Sequence, residues 1–231
     1  MTPPTVALRA DRPARILSAP RATRLAKSTI RALWFAALAY FSGIIVINSI
    51  GYFTTLDEMP FLLEKAALGK APFWRACLVV HVGGGLLCLF AALPQFSRLL
   101  LRRMPRLHQA IGWTYVGTVM ALVVPPGLYL ALHAKGGLGG KVGFIVTGVL
   151  LFHATWRGLE RVLAKDFKGH VAWMLRSYGL AASAITFRLI YLGLFWAGFG
   201  TQYVAAIWLS LLVNILAVEA FLLWKRKGIP S

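Results

Sequence analysis

Six stretches of this chain stay apolar for about 20 residues, the length a helix needs to cross the hydrocarbon core of a bilayer. They run over Leu33–Phe53, Ala76–Phe96, Ile111–Leu132, Val142–Trp156 with a continuation to Leu163, Tyr178–Phe199, and Tyr203–Trp224. Arg157, Glu160 and Arg161 interrupt the inner end of the fourth. None of the six alternates in the strand-length pattern of a membrane β-barrel. The pattern predicts an all-α, polytopic transmembrane bundle of six spans over residues 31–227, with its core in 73–199. Between the first two spans, Thr54–Phe73 carries Asp57, Glu58, Glu64, Pro60 and Pro72 and predicts a short amphipathic helix at the outer interface. Lys135–Lys141, with Gly136, Gly137, Gly139 and Gly140, reads as a flexible outer connection. Pro125 and Pro126 should bend the third span and free backbone carbonyls there.

Charge gives the spans a direction. The chain has 25 Lys and Arg against 7 Asp and Glu. Eighteen of the basic residues fall on one side of the six-span pattern: the tail up to Arg31, Arg98–Arg106, Arg157–Lys168 and Lys225–Lys227. Five fall on the other side, and Arg176 and Arg188 lie within the fifth hydrophobic segment. The positive-inside rule then puts both termini in the cytoplasm, the parity that six spans require. Residues 1–30, rich in Arg, Ala and Pro, cannot bury enough apolar surface to fold and read as a disordered basic cytoplasmic tail. Such a tail is drawn to anionic lipid headgroups.

Composition narrows the class. At 58% hydrophobic residues and a mean hydropathy of +0.69, the chain exceeds the apolar content of ordinary soluble domains, about 45–50%. A net charge of +18 would suit a nucleic-acid partner, but the apolar runs exclude that reading. The expected location is a bacterial inner membrane, with the lipid bilayer as first partner and other membrane subunits as further ones.

Candidate chemistry lies in the histidines and the two arginines of the fifth segment. His81 sits six residues, about 9 Å, past Arg75. His108, His153 and His170 gather toward the inner side from three different spans, and His108 matches His170 best in height. His133, at an outer helix end, reads as structural. His81 and His108 each have a glycine at i+4, Gly85 and Gly112, which would let a flat ring approach the backbone. Neutral imidazoles are the common haem b ligands, so His108, His153 and His170 are the candidate iron ligands. Arg188 lies twelve residues beyond Arg176, about 18 Å deeper, at the level of His81. A charge at that depth is costly and faces a partner or a cavity. His81, Arg176 and Arg188 therefore complete the cofactor-binding set. Glu219 is the one deep acid, and an ion pair with a basic residue, Arg157 foremost, explains it economically. Cys77 and Cys88, eleven residues apart on one helix and so about 16 Å apart, cannot form a disulfide and read as packing residues. There is no nucleotide loop, no Ser–His–Asp or Cys–His order and no HExxH or CxxC spacing. The shortage of intramembrane acids and of internal repeats disfavours a transporter.

Two runs carry a family resemblance. The first is His81-Val-Gly-Gly-Gly, then Gln95 and a basic loop leading to His108-x-x-x-Gly112-x-x-Tyr115. The second is Lys168-Gly-His170-x-x-Trp173-Met174-x-Arg176-Ser177-Tyr178, with Arg188 twelve residues on. Together they resemble a family of bacterial predicted membrane proteins, domain of unknown function 2306, from about Phe73 to Leu194. Members read His-Arg at the start of the third span, where this chain has His108-Gln109. The resemblance implies the fold and the shared motif and carries no activity. A fainter likeness is to four-helix dihaem b-type cytochromes, which also set His on successive helices. Two functions from different classes stand as expectations: a haem b or quinone-linked electron-transfer protein using the His/Arg sites of spans two to five, or a non-catalytic accessory or assembly subunit of a larger membrane complex.

Overall fold

The computed structural model describes residues 43–47, 49–55, 65–198 and 202–227, with Thr29, Ala36 and Tyr40 as isolated helical positions. The chain divides into 1–40 and 41–231, and the helical bundle lies in the second unit. The basic tail expected over 1–30 lies outside the described residues, Thr29 apart. So do the start of the first expected span and residues 56–64 of the expected interfacial helix.

Helix follows helix, with no strand among the described residues. The first, α1, covers Gly43–Thr54. A short α2 (Ala66–Lys70) leads into α3 (Pro72–Gln95), which opens on a proline whose missing N–H costs nothing in a first turn. Ser97 caps α4 (Arg98–Arg103), its Oγ accepting the Leu100 N–H at 3.2 Å. The basic inner loop is thus a helical turn. The third span is built in three parts: α5 (Pro105–Gly117), a π-helical stretch (Thr118–Val123) and α6 (Val124–Ala131). Its cause is local. Pro125 and Pro126 offer no N–H to the carbonyls four residues back, so the ladder slips to i→i+5 just before them.

Next come α7 (Gly137–Leu163), α8 (Phe167–Ala181), α9 (Ser183–Trp196) and α10 (Gln202–Lys227). The outer connection is shorter than the glycine run suggests. Gly136 and Gly137 make the turn with φ of +83° and +60°, and the helix has already begun at Gly137. Gly139 serves packing against α10 instead, and Gly140 leaves room for the Lys135 carbonyl of the turn itself. Trp208 Nε1–H donates to the Gly139 carbonyl at 3.2 Å, and a Cβ on Gly139 would meet Val204 at 3.0 Å. At the other end Asp166 caps α8, accepting the Gly169 N–H at 2.9 Å and pairing with Arg161 at 3.0 Å. The Gly169 amide, with Arg161 behind it, holds the Asp166 carboxyl below the usual carboxylate range.

Five helical segments are long and apolar enough to cross a membrane: Pro72–Gln95, Pro105–Ala131, Gly137–Leu163, Phe167–Trp196 and Gln202–Arg226. A sixth, Gly43–Thr54, is apolar but shorter among the described residues. The interior is mostly apolar, as in a soluble domain, and so is the surface. Large apolar side chains such as Trp113, Leu138, Trp196, Leu216 and Trp224 point outward, where lipid would cover them. The interior holds Trp74, Tyr115, Val119 and Ile207 together with Thr155 and Ser177. Small residues let helices close up: a Cβ on Gly84 would stand 2.8 Å from Leu122 Cβ in the π-helical stretch, and one on Gly158 would stand 2.5 Å from Met174 Sδ.

Candidate functional site

The polar groups inside the bundle fall into three places. At its centre, three hydroxyls tie three spans together. Thr155 Oγ1 (α7) donates to the Leu151 carbonyl at 2.7 Å and lies 2.7 Å from Ser177 Oγ (α8), which lies 2.7 Å from Tyr115 Oη (α5). Each hydroxyl has one proton, and that of Thr155 is spent on Leu151. The chain therefore runs one way, Tyr115 to Ser177 to Thr155 to the carbonyl. Thr155 and Ser177 are wholly buried and Tyr115 nearly so. Nothing in the apolar patterning singles out Thr155; small hydroxyl residues in a span read as packing until the partners are seen.

At the end of the bundle where α7 turns into α8, His170 (α8) reaches across to α7, its Nδ1 2.8 Å from the Gly158 carbonyl. A carbonyl only accepts, so Nδ1 carries a proton, and the tautomer with that one proton has a bare Nε2 lone pair. His108 (α5) lies within electrostatic reach of His170, and its Nδ1 is sealed from solvent without a hydrogen-bond partner among the described residues. The backbones stay apart, since no Cα of α5 comes within 8 Å of one in α8. Gly112 does not leave an open slot beside His108. Gln95 fills that space: its side chain would stand 3.6 Å from a Cβ there, and its amide donates to the His108 carbonyl at 2.9 Å.

His153 stands apart from this pair, exposed on α7 with its ring edge-on to Trp173 at 5.5 Å. Trp173 also carries the Arg176 guanidinium over its face at 4.8 Å and that of Arg157 at 5.8 Å. A cavity of about 140 Å³ opens beside them, bordered by Asn214, Val218 and Glu219 of α10. Glu219 does not pair with Arg157. It takes Arg176 in a bidentate bridge, Nε to Oε1 at 2.6 Å and the second nitrogen to Oε2 at 2.9 Å. Arg176, on α8, reaches Glu219 across the contact with α10, and Arg157 is held at 2.5 Å by Glu160 on its own helix.

The third place is the opposite half of the bundle. His81 (α3) sends Nδ1 to the Val123 carbonyl at 2.8 Å, at the end of the π-helical stretch. Its ring lies so close to Gly127 that a Cβ there would meet it at 2.7 Å. The carbonyl that orients His81 lies two residues before the proline pair. Gly85, one turn away, faces open space. The charge of Arg188 (α9) reaches both His81 and Tyr52 (α1). Among the described residues Arg188 meets no carboxylate, and its hydrogen bond goes to the Ala184 carbonyl of its own helix at 2.8 Å. His133, by contrast, is an outer anchor: its ring bonds the Tyr129 carbonyl at 3.2 Å, and its own carbonyl receives the Lys65 ammonium. Burial there pulls the Lys65 ammonium below its ordinary range.

Apolar spans, a lipid-facing shell of large side chains and polar groups kept inside define an integral membrane protein of the helical-bundle class. The chain belongs to the predicted membrane protein family DUF2306, whose model matches residues 78–223. The match extends past the motif-bearing spans into α10. No curated protein matches the chain, and no solved structure does.

Proposed function

We propose that the protein is a six-span electron carrier of a bacterial inner membrane, with both termini cytoplasmic and a haem b held near the inner surface by His108 and His170. The observation that carries this reading is the His170 hydrogen bond to the Gly158 carbonyl at 2.8 Å. Metal-ligating histidines usually donate their other ring N–H to such an acceptor, which sets the tautomer and aims the free nitrogen. His108, within electrostatic reach, has a buried ring nitrogen that no protein group satisfies among the described residues. Two imidazoles on separate helices suit axial ligation, and the donor set fits the group. Bound there, haem would supply a one-electron couple. The chain's own residues would orient His170 through Gly158, shield the site from lipid, and set Gln95 against the backbone of His108. His153, turned toward Trp173, is not one of the pair. The 18 basic residues on the cytoplasmic side of the six-span pattern support the orientation.

The test is spectroscopic. Protein purified in mild detergent should show a Soret band that shifts on dithionite, with haem confirmed by the pyridine assay. His108→Ala and His170→Ala should each abolish the band, while His153→Ala keeps it. A colourless, well-folded preparation from haem-replete cells would overturn the reading, as would a band that survives loss of both His108 and His170.

A further inference from the structure

We infer that the outer half of the bundle binds the ring of a lipid-soluble quinol or quinone between His81, Arg188 and the tyrosines around them. The argument starts from an excess of donors. Arg188 offers five N–H groups, and its acceptor among the described residues is a carbonyl of its own helix. Its charge reaches Tyr52 and His81, and Tyr203 lies within electrostatic reach of Tyr52 and Tyr191. No hydroxyl of Tyr52, Tyr191 or Tyr203 makes a hydrogen bond among the described residues, and none is sealed in the interior as the Tyr178 hydroxyl is. Among the described residues an imidazole acceptor stands with them: His81 Nε2 is left bare because Nδ1–H is committed to the Val123 carbonyl.

Ring geometry gives the site a wall. Phe187 stacks on Tyr191 at 5.9 Å and meets Tyr203 edge-on at 5.6 Å, with Tyr191 and Tyr203 at 6.2 Å. The ligand that matches is flat and aromatic, with one oxygen to take the Arg188 and tyrosine donors and one O–H to give to His81. A hydroquinone has both, and its oxidised partner keeps only the acceptors.

Depth separates this ligand from a phospholipid. Arg188 lies eight residues inside the outer end of α9, and His81 nine inside that of α3, so both sit about 12–14 Å below the helix ends. Phosphates stay at the interface, whereas quinone rings enter the hydrocarbon. The proposal rests on the electron-carrier reading for its purpose, since a quinol is a membrane electron donor; the binding itself stands alone.

Protein in quinone-free phosphatidylcholine nanodiscs is titrated with decylubiquinol and decylubiquinone, reading quenching of intrinsic fluorescence, with decanol as the control. Saturable quenching is expected, tighter for the quinol, absent with decanol, and weakened about tenfold or more in Arg188→Gln. Tyr203→Phe and Tyr191→Phe carry the test if Arg188→Gln loses its helical circular dichroism. Quenching that tracks decanol, or affinity unchanged in these variants, overturns the inference. So does phosphatidylglycerol retained in native mass spectra of the wild type and lost with Arg188→Gln, which would give the arginine to a lipid phosphate. The Soret band is read on the same samples. Saturable quinol binding without the band overturns the haem reading alone, and the band without quinol binding overturns this one alone.

Discussion

Ser177 shows how much depends on a single small residue. It sits between two hydroxyls, giving its proton to Thr155 and accepting that of Tyr115. Removing it strands the buried Tyr115 O–H and takes a donor from Thr155. Removing the Tyr115 hydroxyl leaves Ser177 still bonded. Ser177→Ala should therefore cost about 1–3 kcal/mol of thermal stability in detergent, and Tyr115→Phe about 1 kcal/mol or less. Equal losses in the two variants would mean that the chain does not run in this direction. At this scale the line of residues is only partly readable. Spacing alone set His108 at the height of His170 and Arg188 at that of His81, because helix rise converts numbers into depth. It could not choose a partner for Glu219, since Arg157 and Arg176 lie at nearby heights and differ in the helix face they occupy.

At the scale of the element, local rules wrote most of the helix ends and one internal break. Proline opens α3 and α5, and serine and aspartate cap α4 and α8. The Asp166 cap predicts a pH dependence of known sign. Its carboxyl is held below its ordinary value of 3.8 by the Gly169 amide and then by Arg161. A folded value below the unfolded one means that the cap's contribution is present above that ordinary value and lost as pH falls through the folded one. Thermal midpoints of the wild type and Asp166→Ala should therefore differ at neutral pH, with the wild type higher, and the gap should narrow as pH falls below 3.8. A constant gap across that range would assign the effect to something other than the carboxylate. The Pro125–Pro126 pair was legible as a bend. That the bend would be a π-helical stretch, with the Val123 carbonyl taken by His81, was not. Within that stretch Leu122 packs against Gly84 of α3.

At the scale of the molecule, lipid is the missing half of the packing. Residues such as Trp196, 79% exposed, and Leu138, 78% exposed, would be faults in a soluble fold and are contacts for acyl chains here. The basic residues predict the orientation. A reporter fused after Lys227 should be active in the cytoplasm and silent when read from the periplasm, and a cysteine introduced at Lys135, exposed in the turn before α7, should react with a membrane-impermeant thiol reagent added outside. The opposite pattern at both positions would invert the topology, and the same side for both would break the alternation of spans.

The chain by itself determined the helical membrane class and the height of each polar group along its helix. Those come from apolar run length and helix rise, both properties of consecutive residues. Only the tertiary structure decided which depths become neighbours. Rotation about each helix axis turned His170 toward Gly158, His153 toward Trp173, Arg176 toward Glu219 and His81 toward Val123. That rotation is set by close approach at small residues on several helices at once, and no single stretch of sequence contains it.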